Sequence, residues 1–171
     1  MRTATTRIPL GFIGLGHIGG NMAARLLAAG YVVHCTARTR ARARWLLDRG
    51  VRWRDTPREV AEAAAVVFTS LPDDATLDAV AGGPDGILAA LGPHQVWVDT
   101  STVGPRTSRR LTARVRARGA AIGLALAAGR DLGVPLPSAA VAGTVLTAAG
   151  ALGYDIAALV QVLGLQQQRT R

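Results

Sequence analysis

The sequence predicts an α/β fold built on a parallel sheet with helices on both faces. Short apolar segments that suit β-strands alternate with segments of helical periodicity, which is typical of parallel α/β sheets. The segment at residues 66–70 reads as a strand with both faces covered. A glycine-rich turn at residues 14–19 joins the first predicted strand to the first predicted helix.

The elements follow in a regular order. Strands are predicted at residues 8–13, 31–36, 51–53, 66–70 and 96–99. Helices are predicted at residues 21–29 and 40–48, from Thr56, from about Asp73, and from Pro105 to Gly119. The helix after Thr56 has a clear start, in which Thr56 is the cap, Pro57 takes the first position and Glu59 closes a capping box.

The glycine-rich turn has the spacing of a phosphate-binding loop. Gly14, Gly16 and Gly19 form G-x-G-x-x-G between an apolar strand and a helix, which is the context that gives this motif meaning. The first glycine permits the tight turn, the second lets a pyrophosphate approach the backbone, and the third lets the helix pack on the strand. The turn predicts a Rossmann dinucleotide-binding fold. The alternative is a glycine-rich loop that serves close packing alone.

The end of the second strand indicates which dinucleotide binds. NAD enzymes place an acidic residue about 20 residues beyond the glycines, whereas NADP enzymes leave room there and add an arginine. Here no Asp or Glu occurs before Asp48. Arg38 offers a planar fork to a 2′-phosphate, and Thr39 and Arg40 add donors. We predict NADP, with NAD less favoured; the alternative is that these arginines only begin a solvated helix.

The composition bounds the class of protein. The chain has 171 residues, 49% of them hydrophobic, which suffices for one full domain and a small appendage. Cys35 is the sole cysteine, which excludes an intramolecular disulfide and a cysteine-based zinc site and suits a reducing cytoplasm. No metal site and no signal segment are predicted. The uncharged residues 132–154 are rich in Pro, Gly, Ala and Val, and are interpreted as a buried or interface helix rather than a membrane span.

The positive charge of the chain comes from arginine alone. The net charge is +9, and the sequence contains no lysine. Eight arginines between Arg38 and Arg58 would attract polyanions. No aromatic stacking platform or helix-turn-helix signal accompanies them, so no nucleic-acid partner is predicted.

Several motifs occur in the order seen in one family. The segment GFIGLGHIGGNMA at residues 11–23 is followed by TSLPD at 69–73, DGIL at 85–88 and DTST at 99–102. Residues 8–119 thereby resemble the β-hydroxyacid dehydrogenases, which include 3-hydroxyisobutyrate dehydrogenase and belong to the 6-phosphogluconate dehydrogenase superfamily. The resemblance implies that Ser101 meets the substrate. Motif and resemblance together predict these cofactor-binding residues: Gly14, Leu15, Gly16, His17, Ile18, Gly19, Arg38, Thr39, Leu71, Pro72 and Thr102.

The resemblance changes after residue 119. The family continues into a Gly-Gly substrate loop and a long helix with the catalytic lysine, and neither is found in this sequence. Residues 122–137 and 154–160 are instead similar to the family's final helices. We expect an NADP-binding domain at residues 1–120 and a helical remnant at 121–171, with helices at 138–149 and 155–163 and a disordered tail. Residues 120–129 fit a strand or a helix, because periodicity does not decide at this length.

The missing lysine bears on the chemistry that the resemblance implies. In the family, a hydride moves between the nicotinamide and the substrate while a lysine exchanges a proton with the substrate oxygen. Arginine cannot replace it, because it stays protonated. Among the neutral-pH alternatives, His17 is expected to line the cofactor, His34 to be structural, and His94 to lie far from the ligand edge. No catalytic residue is assigned, and Ser101 is a candidate substrate contact.

Two functions are favoured by these observations. The first is an NADP-dependent oxidoreductase acting on a small hydroxy acid, semialdehyde or imine, by an altered mechanism or with a partner chain that completes the site. The second is a catalytically inactive NADP-binding accessory or sensor protein. Apolar faces in residues 120–126 and 136–152 would lack the helix that covers them in the family. We therefore predict self-association or a partner chain, against the alternative of a compact monomer.

Overall fold

A six-stranded parallel sheet organises the computed structural model, which describes residues 8–101 and 103–124. The strands are β1 (Leu10–Ile13), β2 (Val33–Thr36), β3 (Arg52–Trp53), β4 (Val66–Thr69), β5 (Val96–Asp99) and β6 (Ala121–Leu124). Their spatial order is β3-β2-β1-β4-β5-β6, and every pair is parallel. The chain thus starts at the centre, winds to one edge, and returns to build the other half. The predicted doubly wound sheet is confirmed.

Helices connect these strands and cover both faces of the sheet. They are α1 (His17–Ala28), a 3₁₀ turn (Arg40–Ala43), α2 (Arg44–Leu47), α3 (Pro57–Glu62), α4 (Asp74–Ala81), α5 (Ile87–Ala90) and α6 (Pro105–Arg116). The short α5 is not predicted from the sequence, because four residues are too few to show a helical period.

The sheet separates two hydrophobic cores. On one face, Phe12 and Phe68 stack with ring centroids 4.7 Å apart, under α1 and α2. On the other face, the buried Trp97 packs with apolar side chains of α3 to α6, including Leu77 and Leu111. The residues of β1, β2, β4 and β5 are buried along each strand, which explains why these strands read as apolar runs.

Several boundaries differ from the sequence prediction. Both β1 and β2 begin two residues later than predicted, at Leu10 and Val33. The first helix begins at His17, four residues before the predicted residue 21. The reason is that Gly19 lies inside the helix, where it packs against the carbonyl of Gly14, so its identity reflects close packing rather than a loop.

The predicted helix at residues 40–48 is not continuous. It is a 3₁₀ turn, Arg40–Ala43, followed by one α-helical turn, Arg44–Leu47. No side chain caps its start, and the N–H of Arg42 donates to the Thr39 carbonyl at 3.0 Å. Such a 3₁₀ turn gives hydrogen-bond partners to backbone N–H groups that would otherwise need a capping side chain.

The start of α3 confirms the predicted cap and corrects the predicted box. The Thr56 hydroxyl accepts a hydrogen bond from the Glu59 N–H at 3.1 Å, and Pro57 takes the first helical position. The Glu59 carboxylate accepts instead from the N–H of Asp55, at 3.0 Å, one residue before the position a capping box requires.

The edge strand β6 settles part of the open question at residues 120–129. Ala121–Leu124 pairs with β5, so the sheet extends beyond residue 120, where the sequence analysis places the domain boundary. The predicted helices at 138–149 and 155–163, the tail and the uncharged stretch at 132–154 lie outside the described residues, and the predicted self-association stays a prediction. Within residues 8–101 and 103–124, no helix combines the length and the apolar character that a bilayer span requires.

Candidate functional site

A cleft of about 670 Å³ opens at the carboxyl ends of the central strands. It lies where β1 neighbours both β2 and β4, which is the point where the winding direction reverses. Ligands of doubly wound sheets bind in the crevice at this place. The cleft is lined by Gly14, Leu15, Gly16, His17, Ile18, Ala37, Arg38, Thr39, Arg42, Ser70, Leu71 and Pro72.

Two of the three motif glycines are required by the packing of the chain. Gly14 has φ +91°, and a Cβ there would collide with the Ser70 carbonyl and lie 2.8 Å from a methyl carbon of Leu71. A Cβ on Gly19 would collide with the carbonyl of Gly14. These glycines hold the turn, α1 and the end of β4 together.

Gly16 differs from the other two glycines. A Cβ built on it would have no atom of the described residues within 4 Å, and its φ of −67° is open to any residue. Gly16 precedes the first residue of α1, where no side chain caps the helix and the first turn carries no acidic residue. The N–H groups at this helix start and the open space beside them fit a phosphate group.

The loop after β2 brings positive charge to one end of the cleft. Arg38 and Thr39, which are predicted to bind the cofactor, line it together with Arg42, which the sequence does not single out. Arg40, predicted as a further donor, lies instead over the ring of Trp53, 5.5 Å from its centroid. Arg40 and Arg42 are two residues apart in this turn, a spacing that places their side chains on different faces.

The loop after β4 forms the other wall. Leu71 and Pro72, which are predicted to bind the cofactor, line the cleft with Ser70 beside them. This loop ends at Asp73, whose carboxylate caps α4 by accepting from the Thr76 N–H at 2.7 Å. That hydrogen bond lowers the pKa of Asp73, and the positive charge of Arg38 adds to the effect.

Ser101 lies beneath this wall rather than on it. Its side chain is 3% exposed, and its Oγ accepts a hydrogen bond from the Leu71 N–H at 2.9 Å. The predicted contact of Ser101 with substrate therefore stays a prediction, without an exposed hydroxyl to support it. Thr102 lies outside the described residues.

The remaining predicted cofactor residues differ in exposure. The Leu15 side chain is buried, and Ile18 is 63% exposed at the mouth of the cleft. The sequence could not separate them, because both are apolar residues of one glycine-rich turn. Ile18 thus offers an apolar surface beside the phosphate position.

The histidines do not converge. His17 is exposed at the start of α1 and lines the cleft, whereas His94 precedes β5 at the opposite, amino end of the strands. His34 lies within β2 opposite Arg52. Within the described ranges, no three His, Cys, Asp or Glu side chains come close enough to hold a metal ion.

His34 is buried, and the hydrogen bonding of its imidazole ring is incomplete among the described residues. Its Nδ1 has no hydrogen-bond partner among the described residues. Burial lowers the pKa of His34, and the positive charges of Arg54 and Arg52 lower it further. The folded chain therefore holds this imidazole neutral.

The stability of the fold should consequently fall when the pH drops below about 6.5, the ordinary histidine pKa. Below that pH the unfolded chain binds a proton that the folded chain excludes. The contribution of His34 to the free energy of unfolding is therefore complete above this pH and is lost as the pH falls toward the lowered pKa. His34→Val should flatten this dependence, measured by urea unfolding at a series of pH values. His17→Gln, at an exposed position, is the control. An unchanged slope in His34→Val would contradict the assignment.

The comparisons with known proteins agree with this geometry. The model for the NAD binding domain of 6-phosphogluconate dehydrogenase matches residues 9–129. The 3-hydroxyisobutyrate dehydrogenase of Pseudomonas aeruginosa is 33% identical over 110 residues, which cover 64% of this chain and 37% of that protein. The chain thus spans little more than a third of the length of this curated relative.

Solved structures show the same likeness. The 3-hydroxyisobutyrate dehydrogenase of Mycobacterium tuberculosis, with L-serine, superposes with a TM-score of 0.62 at 28% identity, covering 68% of this chain and 39% of that one. Psf3 in complex with NADP+ and 2-OPP gives a TM-score of 0.63 at 32% identity, covering 66% and 40%. The family model covers more than half of the sequence. The chain therefore belongs to the family of the NAD-binding domain of 6-phosphogluconate dehydrogenase.

Proposed function

We propose that this chain binds NADP(H) in the cleft at the ends of β2, β1 and β4. The observation that carries the proposal is the open space in front of Gly16, set between a free helix start and two arginines. Phosphate oxygens would meet backbone N–H groups at α1, where the helix dipole also favours negative charge. A glycine needed only for packing would have a neighbour at the Cβ position, as Gly14 and Gly19 do.

The preference for NADP over NAD rests on the loop after β2. Arg38 and Arg42 line that end of the cleft, and none of the described residues that line it is acidic. A carboxylate there would accept the ribose 2′-hydroxyl of NAD, whereas guanidinium groups pair with a 2′-phosphate. The complex of the related Psf3 with NADP+ supports this choice.

The reaction that we propose is hydride transfer between NADP(H) and a small hydroxy acid, semialdehyde or imine. Bound NADP(H) would supply or accept the hydride, and the residues of this chain would bind and orient it. The similarity to 3-hydroxyisobutyrate dehydrogenases supports an oxidoreductase of this class. Proton exchange with the substrate needs a further group, because His17, the one histidine among the described residues that line the cleft, lies beside the phosphate position.

A second candidate is an accessory or sensor protein that binds NADP(H) without turnover. It is favoured by the sequence itself, which supplies no lysine for proton exchange. The buried, hydrogen-bonded position of Ser101 favours it as well. Under this alternative, cleft and cofactor preference stay the same and only the chemistry is absent.

Titration with the two reduced cofactors tests the proposal. We expect NADPH to bind roughly 10- to 150-fold more tightly than NADH, the range given by one charge-assisted hydrogen bond of about 1.5–3 kcal/mol. Cofactor fluorescence measures both affinities. Hydroxy acids, semialdehydes and imines are then added with NADP+ or NADPH, and cofactor absorbance shows whether turnover occurs. Equal affinity for NADPH and NADH would contradict the cofactor assignment, and binding without turnover would select the second candidate.

A further inference from the structure

A buried polar network lies under the β4 side of the cleft. Trp97, Thr69, Asp99 and Ser101 are each at most 3% exposed, and they come from the ends of two neighbouring strands and the loop that follows. Polar groups this deep persist in proteins when they are hydrogen-bonded to one another. Their hydrogen bonds therefore join β4 to β5 and to the loop that follows β5.

The network is a directed chain of hydrogen bonds. The indole N–H of Trp97 donates to the Thr69 hydroxyl at 2.9 Å, and that hydroxyl donates to Asp99 Oδ1 at 2.7 Å. The backbone N–H of Ser101 donates to the same carboxylate oxygen at 3.1 Å. Burial raises the pKa of Asp99, while the hydrogen bonds from Ser101 and Thr69 oppose this rise by favouring the carboxylate. The carboxylate thus fixes the backbone of Ser101.

Ser101 extends this network to the cleft wall. Its hydroxyl oxygen accepts from the N–H of Leu71 at 2.9 Å, across 30 positions of sequence. Leu71 is a wall residue, and its side chain lies beside Gly14 of the phosphate turn. Pro72, the next wall residue, has no N–H to donate. The bond from Leu71 is therefore the anchor of this stretch of wall to β5.

A second contact joins the same two loops further down. The N–H and the hydroxyl of Thr100 both donate to the Thr69 carbonyl, at 2.9 and 2.8 Å. These bonds fix the strand ends and do not reach the cleft. The Ser101 hydroxyl alone among these groups contacts a residue that lines the cleft, so its removal should disturb the wall while β4 and β5 stay paired.

We propose that Ser101 is a positioning residue for the nicotinamide half of the cofactor, and that it acts by holding Leu71 in place. This inference rests on the proposed NADP(H) binding and deepens it. In the strand order β2-β1-β4, the arginines lie on the β2 side of the glycine turn and Leu71 on the β4 side. With the 2′-phosphate at the arginines and the pyrophosphate at Gly16, the remaining half of the dinucleotide extends over Leu71 and Pro72.

The test compares a whole cofactor with its adenosine half in the full chain. In Ser101→Ala, calorimetry should show NADPH binding roughly 3- to 10-fold more weakly, the range of one ordinary hydrogen bond. Adenosine 2′,5′-bisphosphate, which does not reach Leu71, should bind as it does to the parent. Ser108→Ala is the matched control, because the Ser108 hydroxyl is equally buried and has no hydrogen-bond partner in the described part of the chain. Equal loss for both ligands, or for neither, would overturn the proposal.

A second measurement begins with the parent protein, so its first result does not depend on the folding of a variant. Amide hydrogen exchange of the parent protein, followed by NMR, should show the Leu71 N–H protected against exchange. In Ser101→Ala this amide should exchange faster, while the Thr100 N–H keeps its protection. An unprotected Leu71 amide in the parent would refute the proposal. A parent that fails to bind NADPH but protects Leu71 would refute the proposed function, and with it the assigned cofactor role of Ser101.

Discussion

Gly16→Val is expected to abolish NADP(H) binding while the fold survives. The added side chain would enter space that is empty among residues 8–101 and 103–124, so it meets no resistance from the packing of this part of the chain. The backbone conformation at Gly16 is also one that valine tolerates. The side chain would instead fill the position where phosphate meets the start of α1. Loss of two charge-assisted hydrogen bonds there predicts binding that is roughly 100-fold weaker or more.

Gly92 offers a matched control for the Gly16→Val substitution. Gly92 lies in the loop before β5, far from the cleft lining, and a Cβ on it would also have no atom within 4 Å. Gly92→Val should therefore keep both the fold and the affinity for NADPH. Circular dichroism, thermal unfolding and NADPH titration measure all three proteins. Unchanged NADPH affinity in Gly16→Val would show that the phosphate does not bind at this turn.

The same substitution at the other motif glycines should behave differently. A side chain at Gly19 collides with the Gly14 carbonyl, and one at Gly14 collides with Ser70 in a backbone conformation that valine avoids. The three glycines thus have two roles. Gly16 leaves space for the ligand, whereas Gly14 and Gly19 allow the chain to pack closely. A sequence pattern alone shows three equivalent glycines, and the distinction needs the neighbouring loop after β4.

The parts of the fold that the sequence predicts well are those with local causes. The apolar residues Val96 to Val98, with Asp99 after them, mark both ends of β5, and Thr56 with Pro57 marks the start of α3. The winding order follows from the glycine turn and the alternation of elements, because a right-handed crossover leaves few other arrangements. These signals lie within a few neighbouring residues, so one sequence suffices to read them.

The parts that the sequence misses have causes that lie far apart in the chain. The bond between Leu71 and Ser101 joins residues 30 positions apart, and neither neighbourhood marks it. The choice of Arg42 over Arg40 depends on how the turn Arg40–Ala43 is oriented in the fold, because residues two apart in a helical turn lie on different faces. In a segment with arginine at every second position, the composition carries no information about which one faces the ligand.

Arg38→Ala should narrow the preference for NADPH over NADH by about 1.5–3 kcal/mol, which is roughly 10- to 150-fold. The guanidinium of Arg38 lines the β2 end of the cleft, where a 2′-phosphate would sit. NADH lacks that phosphate, so its affinity should change little. The change should therefore appear in the NADPH affinity, measured by fluorescence titration of both cofactors against parent and variant.

Arg40→Ala is the control for Arg38→Ala, because it removes the same charge two residues away. Arg40 lies over Trp53 and lines a separate hollow with Arg44, so its loss alters the general field without touching the cleft. If binding depended only on the net charge of +9, the two variants would weaken NADPH equally. A larger effect of Arg38→Ala at the same salt concentration assigns the preference to a direct contact. Equal effects of the two substitutions would mean that the overall charge causes the preference for NADPH. The 2′-phosphate would then have no specific partner at Arg38.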